Sequence, residues 1–379
     1  MAYRTALLNR RGISRLGAAA AASATLPALA AVAARAQSGK QVEDTSPHGS
    51  GFYRFKIGDF QATVISDGFG SNTPVGPLFA PSVPPAELEA VLKANFMLPT
   101  TQGTVNTLVV DTGRERILLD SGWGEKFGPP FGNYAKLEAN LQRAGISLDS
   151  IDLVVLTHGH LDHIGGLVTK AGFPAFSKAT FVFVDTEWNY WTSDRVASDV
   201  MRATMPEPFK RAIVAAAKEN LPPVAARSRF VKQDGEITSG VRYVAAPGHT
   251  PSHAAVHFNS GNAQFLFMAD VAHNPVTGLQ HPEWKPVFDT VWPKLTPVSV
   301  WRSIFLVLAR KPRHMSTRHS DFLLVTPEPF AGCSLWALPS CRSVPTPMQP
   351  FGCSGAWKQI EITPWRIFSW LLRSRCSAG

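Results

Sequence analysis

Three histidines and one aspartate lie within six consecutive positions: His158, His160, Asp162 and His163. They follow directly after the mostly apolar segment 151–156, which predicts a buried β-strand. Neutral imidazole and carboxylate groups are the ligands that zinc and similar divalent ions prefer. Because the chain has 11 histidines in 379 residues, this concentration favours a metal site over a polar loop with chance histidines.

Two later segments supply further candidate ligands. His249 comes shortly after the strand-like segment 241–246, and Asp270 ends an apolar segment at 265–269. Taken alone, Asp270 fits a turn residue better than a ligand, and His249 fits a loop histidine as well as a ligand. Their order after the first cluster favours the interpretation as ligands. Each also lies where a buried strand ends in a loop, which is the usual location of catalytic and binding residues.

The HGHLDH run at 158–163 resembles the HxHxDH signature of the metallo-β-lactamase superfamily. Gly248-His249 and Asp270 resemble the later ligand motifs of that family, and the resemblance covers about residues 52–322. It implies an α/β (α+β) fold, a four-layer αβ/βα sandwich with two metal ions in a cleft at the sheet edges.

Within the superfamily the chain is most similar to the methyl parathion hydrolase branch, with the related lactonases close behind. Residues 51–60 and 64–68 resemble the opening hairpin of that branch. In the family motif GHTPGH, Ser252 replaces the second glycine here, a departure that concerns only local loop geometry.

The resemblance also implies two sets of metal ligands that Asp270 would bridge. The first set is His158, His160 and His249. The second set is Asp162, His163 and a late histidine, for which His319 is the first choice and His314 the second. His253, His273 and His281 are expected behind the ligands or at the surface.

Three more residues are expected near the site. Asp120 ends a strand-like segment and is a candidate to orient a ligand histidine, although a turn-forming aspartate fits nearly as well. Trp188 or Trp191, in an aromatic-rich segment, is a candidate for the pocket wall, with core packing at least as good an interpretation.

The predicted cofactors are two divalent metal ions, first of all Zn²⁺, with Mn²⁺, Fe²⁺ or Co²⁺ as alternatives. Water shared by two such ions loses a proton near neutral pH, and the hydroxide attacks an electrophilic phosphorus or carbonyl carbon. We therefore predict a hydrolase that opens an ester-type bond in a small molecule, a lactone or an organophosphate triester, with Asp162 and Asp270 as catalytic residues. The alternatives are a β-lactamase-like hydrolase and a metal-binding but inactive protein.

Hydrophobic patterning predicts strands and helices that alternate along the chain. A hairpin is predicted around Gly58-Asp59 and helices over 81–95, 134–144 and 206–220. Strands are predicted over 105–110, 116–120, 151–157, 180–184, 229–232, 241–246, 254–258 and 264–269.

The N-terminus is predicted to be a bacterial export signal, residues 1–36, followed by a linker, residues 37–51. It combines a twin-arginine pattern at Arg10-Arg11, an alanine-rich stretch and an A-x-A site that ends at Ala36. An amphipathic or disordered leader is the alternative interpretation. We expect a periplasmic or secreted protein without a stable membrane anchor.

The net charge of +9 is concentrated at the two ends of the chain. Residues 1–36 carry +5 and residues 301–379 carry +7, which leaves −3 for the central part. A mildly acidic core argues against nucleic-acid binding. The expected partner is the small ester substrate, with a homodimer left open.

The segment 323–379 differs from the rest of the chain. All four cysteines lie there, at positions 333, 341, 353 and 376, among scattered proline, serine and tryptophan residues. Two disulfides or a zinc site are conceivable, although the spacing suits zinc poorly. We favour a shifted reading frame near residue 322, because the similarity to the family ends after His319-Ser320-Asp321-Phe322.

This interpretation predicts that another reading frame of the gene beyond codon 322 encodes the strand pair that closes the family fold. Resequencing the gene and translating the other two frames from that codon tests it. If neither frame contains such a pair, the frameshift hypothesis is wrong.

Overall fold

The computed structural model describes residues 51–289, 322–325 and 335–338. The strands are β1 (Phe52–Ile57), β2 (Phe60–Pro74), β3 (Thr100–Asp111), β4 (Arg116–Leu119), β5 (Leu153–Val155), β6 (Thr180–Val184), β7 (Ser228–Val231), β8 (Glu236–Thr238), β9 (Val241–Ala245), β10 (Ala254–Ser260), β11 (Ala263–Phe267), β12 (Phe322–Val325) and β13 (Leu335–Leu338). The α-helices are α1 (Val75–Phe79), α2 (Pro85–Ala94), α3 (Gly124–Phe127), α4 (Leu137–Arg143), α5 (Leu161–Ile164), α6 (Asp185–Trp191), α7 (Arg195–Arg202) and α8 (Glu207–Asn220).

Two mixed β-sheets contain these strands. The first follows chain order from β1 to β7, antiparallel as far as β4 and parallel from β4 to β7. The second has the order β13-β12-β11-β10-β9-β8, with β11 and β12 as its parallel pair. The second sheet therefore includes two strands within the segment that differs in composition.

Successive side chains of a strand belong to two different apolar cores, one on each face of the first sheet. On β4, Ile117 and Leu119 face an apolar core shared with Val256 of the second sheet. Leu118 faces the other way, into a core with the helices. Since successive side chains point to opposite faces of a strand, the first sheet lies between helices and the second sheet.

The outer face of the second sheet carries its own small cluster around Val244, Ala255 and Leu266. Among the described residues, the short helical turns Ala269–Val271 and Pro275–Gln280 follow β11, and Val271 and Leu279 pack against this cluster. The prediction of an α/β sandwich of the metallo-β-lactamase type is confirmed.

Most predicted elements are present with shorter or shifted bounds. The predicted strand 151–157 is reduced to β5, because Thr157 already belongs to the turn that Asp120 holds. The elements that were not predicted are helices α1, α3, α5, α6 and α7 and strands β8, β12 and β13. Helix α6 combines aromatic and polar residues that have no clear helical period, so patterning did not reveal it.

The two sheets are joined by hydrogen bonds where β5 and β6 end. The Tyr243 hydroxyl lies 3.0 Å from the Leu156 carbonyl and 2.8 Å from the Val182 carbonyl. The Ala254 N–H donates to the Thr157 carbonyl at 3.1 Å. The loops that leave these strands are therefore fixed relative to each other.

No helix among the described residues is long and apolar enough to cross a bilayer. The predicted export signal, most of the linker, the four cysteines, His314 and His319 lie outside the described residues.

Asp67 is a fully buried carboxylate that anchors two loops to β2. It accepts hydrogen bonds from the Trp123 N–H at 2.7 Å and the Leu137 N–H at 2.9 Å. Burial raises the pKa of Asp67 from 3.8 to about 6, because it disfavours the charged form more than these bonds favour it.

We expect the substitution Asp67→Asn to remove a pH-dependent loss of stability. In the wild type the folded state binds the proton more tightly, so the free energy of unfolding falls as pH rises from about 4 to about 6. The fall is about 3 kcal/mol, at 1.36 kcal/mol per pKa unit. Urea unfolding of both proteins at several pH values, with chelator present, measures it; parallel pH profiles of the two proteins would contradict it.

Candidate metal centre

The turn between β5 and α5 presents the first histidines. His158 and His160 follow strand β5. The backbone of His160 is extended, and α5 begins directly after it. Gly159 between them has no room for a side chain, because a Cβ there would lie 2.4 Å from the Trp191 ring. The two imidazoles are therefore presented on one side of a turn packed tightly against α6.

Three imidazole nitrogens converge at this turn. Nδ1 of His160 lies 3.1 Å from Nε2 of His158 and 2.7 Å from Nε2 of His249. All three side chains are buried. Nitrogens bound to one tetrahedral zinc ion at about 2.0–2.1 Å are about 3.3 Å apart, so the spacing is close to that of a three-histidine metal site.

Contacts of the outer nitrogens fix the rings of His158 and His249. The Thr157 hydroxyl donates to Asp120 and can accept the Nδ1–H of His158 at 3.0 Å. Nδ1 of His249 lies 2.9 Å from Asp289 Oδ1 and donates its proton there. The inward nitrogens of the three rings face one point, where a shared proton or metal cation keeps their lone pairs from repelling.

A second group of ligands surrounds the carboxylate of Asp270. Its Oδ2 lies 3.2 Å from His249 Nε2, 3.5 Å from His163 Nε2 and 3.9 Å from His158 Nε2. Asp162 Oδ2 lies 3.5 Å from His163 Nε2. One carboxylate oxygen thus adjoins both the three-histidine group and the His163 group.

Asp120 fixes the ring of His163. Nδ1 of His163 lies 2.8 Å from Asp120 Oδ2 and donates its proton there, which leaves Nε2 to face Asp162 and Asp270. Asp120 adopts the left-handed backbone region, with φ of 61°. Such strained conformations often occur at functional sites, where surrounding contacts hold them.

The electrostatics of the site favour a positive charge among the imidazoles. Burial lowers the pKa of His158 and of His160 well below the usual value, so both are neutral. Burial opposes protonation of His249 as well, yet hydrogen bonds to Asp270 and Asp289 raise its pKa to about 9. Metal ions could replace protons in this role, since bound metal displaces them from its ligands.

The comparison with protein families agrees with this geometry. Residues 100–310, more than half of the chain, match the family described as the metallo-beta-lactamase superfamily. The chain belongs to this superfamily.

Two curated proteins have sequences similar to this chain. A beta-lactamase-like protein 2 homolog of Drosophila melanogaster is 32% identical over 180 residues, 48% of this chain and 50% of that protein. An atrochrysone carboxyl ACP thioesterase of Aspergillus fumigatus is 44% identical over 187 residues, 48% of this chain and 44% of that protein. The chain spans about half the length of the curated relatives it matches.

Among solved structures, the dizinc quorum-quenching lactonase AidC superposes with a TM-score of 0.60. It is 24% identical, and the match covers 77% of this chain and 98% of that chain. At 24% identity, the superposition shows that the two proteins share a fold. Superfamily membership and the clusters of histidine and carboxylate groups support the prediction of a metal-dependent hydrolase with divalent ions.

The metallo-β-lactamase fold brings six of the predicted ligands together. His158, His160 and His249 form one group, and His158, His163 and Asp270 form a second group that shares His158 with the first; Asp162 lies beside His163. The seventh predicted ligand, His319, lies outside the described residues. Of the two tryptophans, Trp191 packs edge-on against His160 at 5.3 Å. Trp188 is partly buried and packs instead between Phe183 of the core and the exposed Phe230, so it does not line the site.

Sequence reasoning missed His273 and Asp289. His273 Nε2 lies 3.2 Å from Asp270 Oδ2, in a position facing the site rather than the surface. His253 lies behind His158, fully buried, and its Nε2 accepts the Asp270 N–H at 3.3 Å. The spacing of three residues from Asp270 to His273, within one helical turn, was the available signal for His273. His281 stacks on Trp284.

We expect Asp120→Asn to weaken metal binding by about ten- to a hundredfold, because a ligand histidine loses the partner that sets its tautomer. Competition with a chromophoric chelator measures the dissociation constants. Asp111→Asn is the control, since Asp111 pairs with Arg116 near the surface at the end of β3. Equal affinities of the two variants would contradict this role for Asp120.

Proposed function

We propose that this protein is a dinuclear metal-dependent hydrolase that opens an ester-type bond in a small molecule. The observation that carries the proposal is the position of Asp270 Oδ2, within 3.2–3.9 Å of imidazole nitrogens from both ligand groups. A carboxylate in this position suits a bridge between two ions, and two-ion sites are common in hydrolases.

In this proposal each ligand group would hold one divalent ion, for which Zn²⁺ is the first candidate. His158, His160 and His249 hold the first, and His163 and Asp162 hold the second, with His319 as the further candidate ligand. When bound, the pair of ions supplies a nucleophile from water at neutral pH and polarises the oxygen of the substrate bond.

Neighbouring carboxylates orient the ligand histidines and fix which ring nitrogen carries the proton. Asp120 and Asp289 each accept the outer N–H of a ligand histidine, so that the inner nitrogen carries the lone pair. Burial raises the pKa of a carboxylate such as Asp270, but the imidazoles of His163 and His273 hold it well below its usual value. Asp270 therefore stays ionised at the centre of the site. Asp162 lies beside the same Nε2 of His163, with 20% of its side chain exposed, and in this position it can help orient the attacking water.

A cavity beside the centre indicates the kind of substrate. Its lining includes Phe79 and Trp284 together with His273, Asp270 and Asp289. Aromatic walls next to a polar centre suit a neutral molecule that has an apolar portion. Lactones fit this description, and the names of the lactonase and thioesterase relatives refer to carbonyl substrates. Organophosphate triesters, suggested by the similarity to the methyl parathion hydrolase branch, are the second candidate.

Export to the periplasm through the twin-arginine route is part of the proposal. It rests on Arg10-Arg11 and the alanine-rich stretch that follows. Folding and metal uptake before transport would suit a site whose ligands come from distant parts of the chain.

Metal analysis and a substrate panel test the proposed function. We expect two equivalents of metal per chain and hydrolysis of an N-acyl homoserine lactone or of a neutral phosphotriester. Asp270→Asn is expected to lower turnover at least a hundredfold, because the charged bridge is lost. Ser252→Gly restores the family's loop residue and is expected to keep activity.

One equivalent of metal or none, without turnover on any ester, would support the inactive metal-binding protein instead. Preferential hydrolysis of a chromogenic cephalosporin would support a β-lactamase-like enzyme.

A further inference from the structure

Glu187 is a buried carboxylate next to the centre that the proposed chemistry does not use. It lies in the first half of α6, immediately after β6, and only 2% of its surface is exposed. A buried carboxylate is costly unless it is paired or fully hydrogen-bonded. Its partners therefore indicate why it is there.

Four donors surround this carboxylate, and three of them come from the two ligand loops. Oε1 accepts from the Gly159 N–H at 3.3 Å, between the two histidines of the first loop. The same oxygen accepts from the Thr250 hydroxyl at 2.6 Å, next to His249. Oε2 accepts from the Ser252 N–H at 2.8 Å, further along the second loop.

The fourth donor belongs to the same helix. The Trp191 Nε1–H donates to Oε1 at 2.7 Å, which orients the indole ring. This ring packs on His160 and occupies the space next to Gly159. Glu187 thus acts on the first loop twice, through the Gly159 backbone and through the Trp191 ring.

We propose that Glu187 is a positioning residue that sets the distance between the His158–His160 turn and the His249 loop. The assignment rests on the proposed function, because the distance matters only if these histidines share a metal ion. The two loops follow strands of different sheets, β5 and β9, and Glu187 contacts both. A single carboxylate can therefore hold His160 Nδ1 and His249 Nε2 at the 2.7 Å seen here.

Glutamine cannot replace this carboxylate. All four partners of Glu187 are donors, whereas an amide has one oxygen acceptor and a nitrogen that only donates. If the amide nitrogen faced Ser252, two donors would meet. If it took the place of Oε1, the Gly159 N–H and the Trp191 Nε1–H would lose their acceptor, while the Thr250 hydroxyl can turn and accept. In either orientation one ligand loop loses its backbone hydrogen bond to residue 187, while the volume of the side chain is unchanged.

The test compares Glu187→Gln with Asp67→Asn in the full chain. Asp67 is an equally buried carboxylate that accepts two backbone N–H groups, but its partners are Trp123 and Leu137 rather than the ligand loops. Three measurements are made on each protein: zinc affinity by chelator competition, the visible spectrum of the cobalt-loaded form, and the melting temperature without metal.

We expect Glu187→Gln to weaken zinc binding at the first site by at least tenfold and to shift the cobalt bands, which report ligand geometry. Asp67→Asn is expected to keep the affinity within twofold, with a comparable change in the melting temperature of the metal-free protein. Thr250→Val removes one of the four bonds and is expected to cause a smaller loss of affinity, which keeps the test valid if Glu187→Gln does not fold.

The assignment of Glu187 is overturned if Glu187→Gln and Thr250→Val both bind zinc as tightly as the wild type. It is also overturned if Asp67→Asn loses as much affinity as Glu187→Gln, since the effect would then be one of general stability. A wild-type protein that binds no zinc would instead refute the proposed function, so the two failures are distinguishable.

Discussion

The structure depends on bringing imidazole nitrogens together in a buried place. Nδ1 of His160 and Nε2 of His249 are 2.7 Å apart, a distance at which two lone pairs repel unless a proton or a metal ion is shared there. No local element can produce this arrangement, because the two residues are 89 positions apart in the chain. The sandwich, its cross-sheet hydrogen bonds and the surrounding carboxylates all serve to impose it.

The sequence allowed the fold class and most of the site to be predicted. The ligand residues that follow strands could be found because a strand that ends at a sheet edge delivers the next few side chains to that edge. His158, His249 and Asp270 all follow this rule. Asp120 could be placed on the same grounds, at the end of β4, although only the structure pairs it with His163.

Other parts of the site have no signature in the sequence. Asp289 contacts His249, which lies 40 residues before it in the chain. Glu187 contacts Gly159 and Thr250, which are 28 and 63 residues away. A carboxylate in a polar stretch is ordinarily a solvated group, so its burial becomes apparent only after the chain is folded. Trp188 and Trp191 show the same limit: they lie three positions apart on one short helix, and only the tertiary packing decides that Trp191 faces the site.

The backbone bond from the Ala254 N–H to the Thr157 carbonyl has a consequence for how the protein opens. It crosses between the sheets within one residue of His158, and Tyr243 crosses beside it. Separation of the two sheets would break these bonds and disperse the ligands in the same motion. Release of metal through large-scale opening would therefore be coupled to partial unfolding. If a chelator removes metal only from the opened protein, the rate of removal reports how often the two sheets separate.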